Sequence, residues 1–63
     1  MKAGDRVKQK GVPDSKVYRI CSMNANTMML GKWSRCVIYA IDRTSKFLVM
    51  RYDEFIEKFE LCN

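Results

Sequence analysis

The chain contains no histidine. It therefore lacks the side chain that most often moves protons near neutral pH. It also lacks a nucleophile elbow, a phosphate-binding glycine-rich loop and an H-E-x-x-H helix. These absences argue against catalysis, and the chain is expected not to be an enzyme. Cysteine is scarce and widely spaced: Cys21, Cys36 and Cys62 form no C-x-x-C pair and have no histidine to complete a zinc site. An odd number of thiols at such spacings does not make a disulfide framework. The expectation is reduced cysteines packed as small apolar groups, with no metal and no cofactor.

Long hydrophobic runs are missing as well. The longest is Cys36-Val37-Ile38-Tyr39-Ala40-Ile41, against the roughly 20 residues a membrane-spanning helix needs. Met1-Lys2-Ala3-Gly4-Asp5-Arg6-Val7-Lys8 has no apolar stretch of the kind that follows the charged start of a signal peptide. No membrane partner and a cytoplasmic location are expected. With one proline and three glycines in 63 residues, 48% hydrophobic and 30% charged, the composition is that of a folded chain rather than a disordered one. At this length there is room for a single domain, 1–63, and for a small core only.

The residues that are present read mostly as strands. Asp5-Arg6-Val7-Lys8-Gln9-Lys10 is a short polar segment expected to form an edge strand, and Gly11-Val12-Pro13-Asp14-Ser15 has turn chemistry. Lys16–Met23 is rich in strand-favouring residues. Asn24-Ala25-Asn26 is the expected tight turn into Thr27–Trp33, because Asn tolerates positive φ. After Ser34-Arg35, the apolar run Cys36–Ile41 suits a strand buried on both faces. Asp42–Lys46 has hairpin-loop length, and Phe47–Arg51 is expected to pair back.

The period then changes. Tyr52, Phe55, Ile56 and Phe59 stand at i, i+3, i+4 and i+7, one face of a helix of one to two turns. Asp53 is its expected N-cap, Glu54 and Glu57 load its start and Lys58 its end. Glu60-Leu61-Cys62 reads as a last short strand. The fold expected is mainly β: a small barrel or a strongly bent antiparallel sheet of four to five strands, with a short C-terminal helical turn.

Gly4-Asp5-Arg6-Val7, the Gly11-Val12-Pro13 turn, the Val17-Tyr18-Arg19-Ile20 strand and the helical turn before a last strand resemble the small SH3-like barrels of bacteria. These include KOW- and Tudor-type modules and the short YodC-like proteins. The likeness implies an SH3-like domain that binds RNA, DNA, ribosomal or polymerase surfaces, or peptides, and it leaves the ligand open.

Charge is unevenly placed. Residues 1–51 carry eleven Lys or Arg against three Asp, a net of +8, while 52–63 carry one Lys against four acids, a net of −3. A basic body beside an acidic tail steers anionic partners toward one side. Within the body, Gly31-Lys32-Trp33-Ser34-Arg35 joins the only Trp to two cations. An aromatic face for a base and cations for phosphates are what a nucleic-acid platform needs. Lys16, Arg19, Arg43, Lys46 and Arg51 extend it if their strands are neighbours. The competing reading places Trp33 in the core, the commoner fate of a lone Trp in a small domain, and Tyr18 and Tyr39 lean further that way. Met23, Met28, Met29 and Met50 either fill the core or present an adaptable protein-binding surface. Met28 and Met29 point to opposite faces of their strand, one inside and one partly exposed.

Two functions follow. One is a non-enzymatic module that engages RNA or DNA through a basic sheet face and an exposed aromatic. The other is a small protein-interaction module or inhibitor that docks on a larger protein with an acidic surface, a class that includes nucleic-acid-binding proteins. The chain is expected to be a monomer or a weak homodimer, the latter if the run Cys36–Ile41 lies at a sheet edge.

Overall fold

A computed structural model describes residues 1–62, apart from the side chain of Met29. Five antiparallel strands and one helix follow in the order β1 (Arg6–Gln9), β2 (Tyr18–Met29), β3 (Lys32–Ile41), β4 (Phe47–Arg51), α1 (Tyr52–Lys58) and β5 (Phe59–Leu61). They form one sheet of order β4-β3-β2-β1-β5, which is not closed into a barrel. The chain is thus mainly β, with the strand number and C-terminal helical turn that the sequence implies. No helix is long and apolar enough to cross a membrane.

The first strand is not an edge. β1 pairs with β2 on one side (Val7↔Tyr18) and with β5 on the other (Lys8↔Glu60). Its polar composition suggested an edge, yet the chain returns after α1 and covers it. The ladder is extended by Cys62 N–H donating to Arg6 O at 3.0 Å and Lys10 N–H donating to Lys58 O at 2.9 Å. The true edges are β4 and the three-residue β5.

The expected turn at Asn24-Ala25-Asn26 is also not formed. β2 runs straight through it, with Ala25↔Cys36 and Asn26↔Arg35 in register, and Ser34-Arg35 is strand rather than a break. The chain reverses instead at Leu30-Gly31, whose φ values of 52° and 79° are both positive. A two-residue hairpin loop whose twist matches its strands needs that geometry at both positions. Glycine adopts it without penalty. Reversing six residues later than expected lets the ladder reach Met29↔Lys32.

β2 departs twice from regular pairing. Between Ile20 and Ser22 it advances two residues while β3 advances one, and between Ser22 and Ala25 it advances three against two. Each shift leaves an extra β2 residue, a bulge that bends the strand and increases its twist. The bending lets the sheet wrap the core side. The second hairpin forms as expected, with Val37↔Met50 and Tyr39↔Leu48 in register.

β3 therefore lies inside the sheet, and Cys36, Val37, Tyr39 and Ala40 are buried. The condition under which Cys36–Ile41 would drive self-association, an edge position, is not met. The core cluster is Val7, Ile20, Met23, Val37, Tyr39, Phe55 and Phe59, with Tyr18, Met50 and Tyr52 packed against it. Aromatic rings dominate it. Phe55 and Phe59 stack at 4.5 Å and 12°, and Tyr18 meets Phe59 edge-on at 5.4 Å. Such pairs contribute about 0.5–1.5 kcal/mol beyond the area they bury.

The helix takes its expected length, but two of its details differ. Arg51, not Asp53, holds the N-cap position, with no side-chain capping bond. Asp53 sits inside the first turn, where its Oδ1 accepts from Glu54 N–H at 3.0 Å. Phe55 and Phe59 are fully buried and Tyr52 partly so, whereas Ile56 is 37% exposed. The helix ends after seven residues at Phe59, which is already extended and donates its N–H to Phe55 O. A helix this short presents a narrow stripe, and Ile56 falls at its rim.

Candidate nucleic-acid or partner interface

The bulges and the late turn produce one conspicuous feature, a free β-ribbon. β1 pairs with β2 only near Tyr18 and Arg19, and β4 pairs with β3 only as far as Cys36↔Arg51. From Ala25 to Arg35 the two strands β2 and β3 therefore pair only with each other. Residues 24–36 contain Lys32 and Arg35 and no Asp or Glu. The arm is basic without a compensating acid.

Alternation fixes which side chains share a face. β3 is regular, so Trp33 and Arg35 lie on the same face as the core residues Val37 and Tyr39, beyond the part that α1 covers. Lys32, Ser34 and Cys36 lie on the opposite face. Trp33 is 71% exposed, and Met28, opposite it in register, is exposed too. The core reading of Trp33 fails because β2 and β3 outrun the helix, and the indole is left uncovered by the described residues. Of the other methionines, Met23 is buried and Met50 partly so. The side chain of Met29 lies outside the described residues. Tyr39 is buried, and Tyr18 packs against the core. Burial, followed by the nearby Tyr18, pushes the Tyr39 hydroxyl above its ordinary pKa.

Arg35 joins the arm to the body. Its guanidinium lies 3.8 Å from the centroid of the Tyr52 ring, and its Nε–H donates to Met23 O at 3.0 Å. The pairing holds a flat cation stacked on an aromatic two residues along the strand from Trp33. Side chains at i and i+2 on a strand are about 7 Å apart. The result is a short row of planar groups: Trp33, then Arg35 on Tyr52.

The eight cations and aromatics expected to share one surface do not all do so. Lys32, Trp33 and Arg35 are on the arm, and Lys32, Ser34 and Arg51 line a groove there with Leu30, Val49, Met50 and Glu54. Arg51 pairs with Asp53 (3.4 Å) and Glu54 (3.6 Å), so its charge is offset. Lys16, Arg19, Arg43 and Lys46 lie toward the other end of β3, where Arg19 pairs with Ala40, about 23 Å along the strand from Trp33. There Asp42, 18% exposed, bridges Arg6 at 3.4 Å and Arg19 at 3.7 Å. Lys16, Lys32, Arg43 and Lys46 make no ion pair among the described residues. The basic body is thus two clusters at opposite ends of the sheet rather than one face, because β2 and β3 run its full length.

Leu30 went unnoticed in the sequence. It occupies the arm tip, fully exposed and at positive φ. Only the position of the turn identifies it, and the two asparagines upstream concealed that position. Cys36 is buried, with its sulfur 3.0 Å from Thr27 Oγ1. No group of three or more His, Cys, Asp or Glu side chains among the described residues is placed to hold a metal ion. No family model matches the chain, and no curated protein and no solved structure matches it either.

Proposed function

We propose that the protein is a non-enzymatic binding module that engages single-stranded nucleic acid with the β2–β3 arm. The observation that carries this reading is Trp33, 71% exposed on a projecting ribbon that bears Lys32 and Arg35 and no carboxylate. Trp33 pairs with exposed Met28 and lies near exposed Leu30, an apolar cluster of the kind that marks a binding surface. A base stacked on Trp33, with the next on the Arg35–Tyr52 pair, matches the spacing of the row, and the Arg35 guanidinium supplies positive charge for phosphate on that same face. Unstacked bases are available in single strands and loops, which favours these over intact duplex. The resemblance to SH3-like modules agrees with a binding role.

Titration of single-stranded RNA and DNA against Trp33 fluorescence at two salt concentrations tests this. The expected result is quenching, with affinity that falls steeply as salt rises. Trp33→Ala should lose about 1–3 kcal/mol of binding while leaving folding within about 0.5 kcal/mol of wild type. Absence of any signal change at low salt would refute the reading.

A second reading is a protein-interaction module that docks on a larger, acidic partner. Met28, Leu30 and Trp33 give the arm an apolar end suited to such a partner. Affinity indifferent to salt and a stoichiometric partner recovered from nuclease-treated lysate would favour it over nucleic acid.

A further inference from the structure

The two edges of the sheet are built differently. β5 is three residues long and carries Glu60, ion-paired to Lys8 at 3.8 Å, so it offers little to a passing strand. β4 carries Phe47, Leu48, Val49 and Met50 in succession, with no charge or proline among them. Phe47, Leu48 and Val49 are 61%, 42% and 47% exposed. Edge strands are normally blunted by charge, proline, a bulge or brevity. β4 has none of these over its first four residues. We propose that β4 is the interface for a second copy of this chain, paired antiparallel across a two-fold axis.

The occupant follows from the ends of the strand. Arg43 and Lys46 precede β4, and Asp53 and Glu54 follow it in the first turn of α1. In antiparallel self-pairing centred near Val49, the middle of β4, the start of one β4 meets the end of the other. The basic loop of each copy then faces the acidic helix start of its partner, twice over by symmetry. Arg43 and Lys46 make no ion pair among the described residues, and Asp53 and Glu54 are exposed enough to take another. The outer faces fit as well. Phe47 and Val49 share a face with Ala40 and Ile38, their cross-strand neighbours, so pairing continues one apolar strip across both sheets. A closed two-fold contact of this kind pairs the two β4 edges with each other and leaves only the three-residue β5 at each end of the joined sheet. The contact does not use Trp33, although Val49 and Met50 also line the groove beside the arm.

Sedimentation equilibrium on the full chain over a concentration series provides the test. The expected result is a monomer–dimer equilibrium. Val49→Lys, which sets like charges near the two-fold axis, should shift it to monomer, with the thermal melt of dilute protein retained. If that variant fails to fold, Phe47→Lys at the more exposed position serves the same purpose. Lys46→Glu and Asp53→Lys should each weaken the dimer, and the double variant should recover it. A wild-type chain that stays monomeric to millimolar concentration overturns the proposal and leaves the edge to a strand of some other protein. So does a dimer that survives Val49→Lys or Phe47→Lys, and so does a double variant no better than the single ones.

Discussion

The guanidinium of Arg35 lies 3.8 Å from the ring centroid of Tyr52, and through this contact the base of the free arm is held against the first residue of the helix. The same side chain donates to the carbonyl of Met23, a β2 carbonyl within the second irregular stretch. One arginine thus ties β3, β2 and α1 together where the ladder is least regular. Replacing Arg35 by Ala should cost about 2–4 kcal/mol in urea unfolding, the sum expected of an exposed cation–π contact and one charged hydrogen bond. Arg35→Lys should recover little, because an ammonium cannot both stack flat and donate from Nε. Equal stability of wild type and Arg35→Ala would show that the contact does not hold the arm.

Leu30 should be worse for folding than the residue a designer would choose. Its φ of 52° is a left-handed conformation that Asn accepts more readily, and its side chain is fully exposed. Leu30→Asn is expected to raise stability by about 1 kcal/mol, a shift in Tm of about 4–8 °C for a domain of this size. The same change should weaken ligand binding by the arm if the apolar tip contributes. A Tm unchanged or lowered would show that Leu30 makes stabilising contacts in the folded chain.

Two neighbouring helix residues of similar hydrophobicity should behave very differently. Phe55 is fully buried among Tyr39 and Phe59, so Phe55→Ala should cost about 3–5 kcal/mol and leave the chain largely unfolded at 37 °C. Ile56 keeps more than a third of its surface in water, and Ile56→Ala should cost about 1 kcal/mol or less. Circular dichroism melts of the two variants separate these outcomes, and similar losses would mean that the helix packs on a different face.

Tyr39 makes the fold sensitive to alkali. Its hydroxyl is held protonated by burial, so the folded chain binds that proton at pH values where the unfolded chain has released it. Stability from this group is fully present below about pH 10, the ordinary tyrosine value, and falls as pH rises through the higher folded one. Tyr39→Phe should therefore move the alkaline unfolding midpoint upward. Following the tyrosinate absorbance and the circular dichroism together checks this: wild-type ionisation of the slow tyrosine should coincide with unfolding. An alkaline midpoint identical in Tyr39→Phe would assign the transition to other groups.

Much of the fold is legible in the residues. The run Cys36–Ile41 reads as a doubly buried strand because both its faces are apolar, and it is one. Phe47–Arg51 pairs with it because the intervening polar segment has hairpin length. Tyr52, Phe55, Ile56 and Phe59 mark a short helix beside the core because their spacing cannot be met by a strand, although Phe59 reaches the core as the first residue of β5 and Ile56 stays at the rim. The division of charge between a basic body and an acidic tail is a property of the sequence alone.

The tertiary structure decided what local chemistry leaves open. Asn24 and Asn26 satisfy turn preferences, but six more residues of ladder outweigh them, and the reversal falls at Leu30-Gly31. β1 looks like an edge until β5 returns beside it, a contact between residues about fifty positions apart. Trp33 has the composition of a core residue and is exposed only because the strands that carry it extend past the helix. Pattern and period act over a few residues and fix which segments are strand or helix. Which strand lies at the edge, and which side chain is left uncovered, depends on where distant segments end.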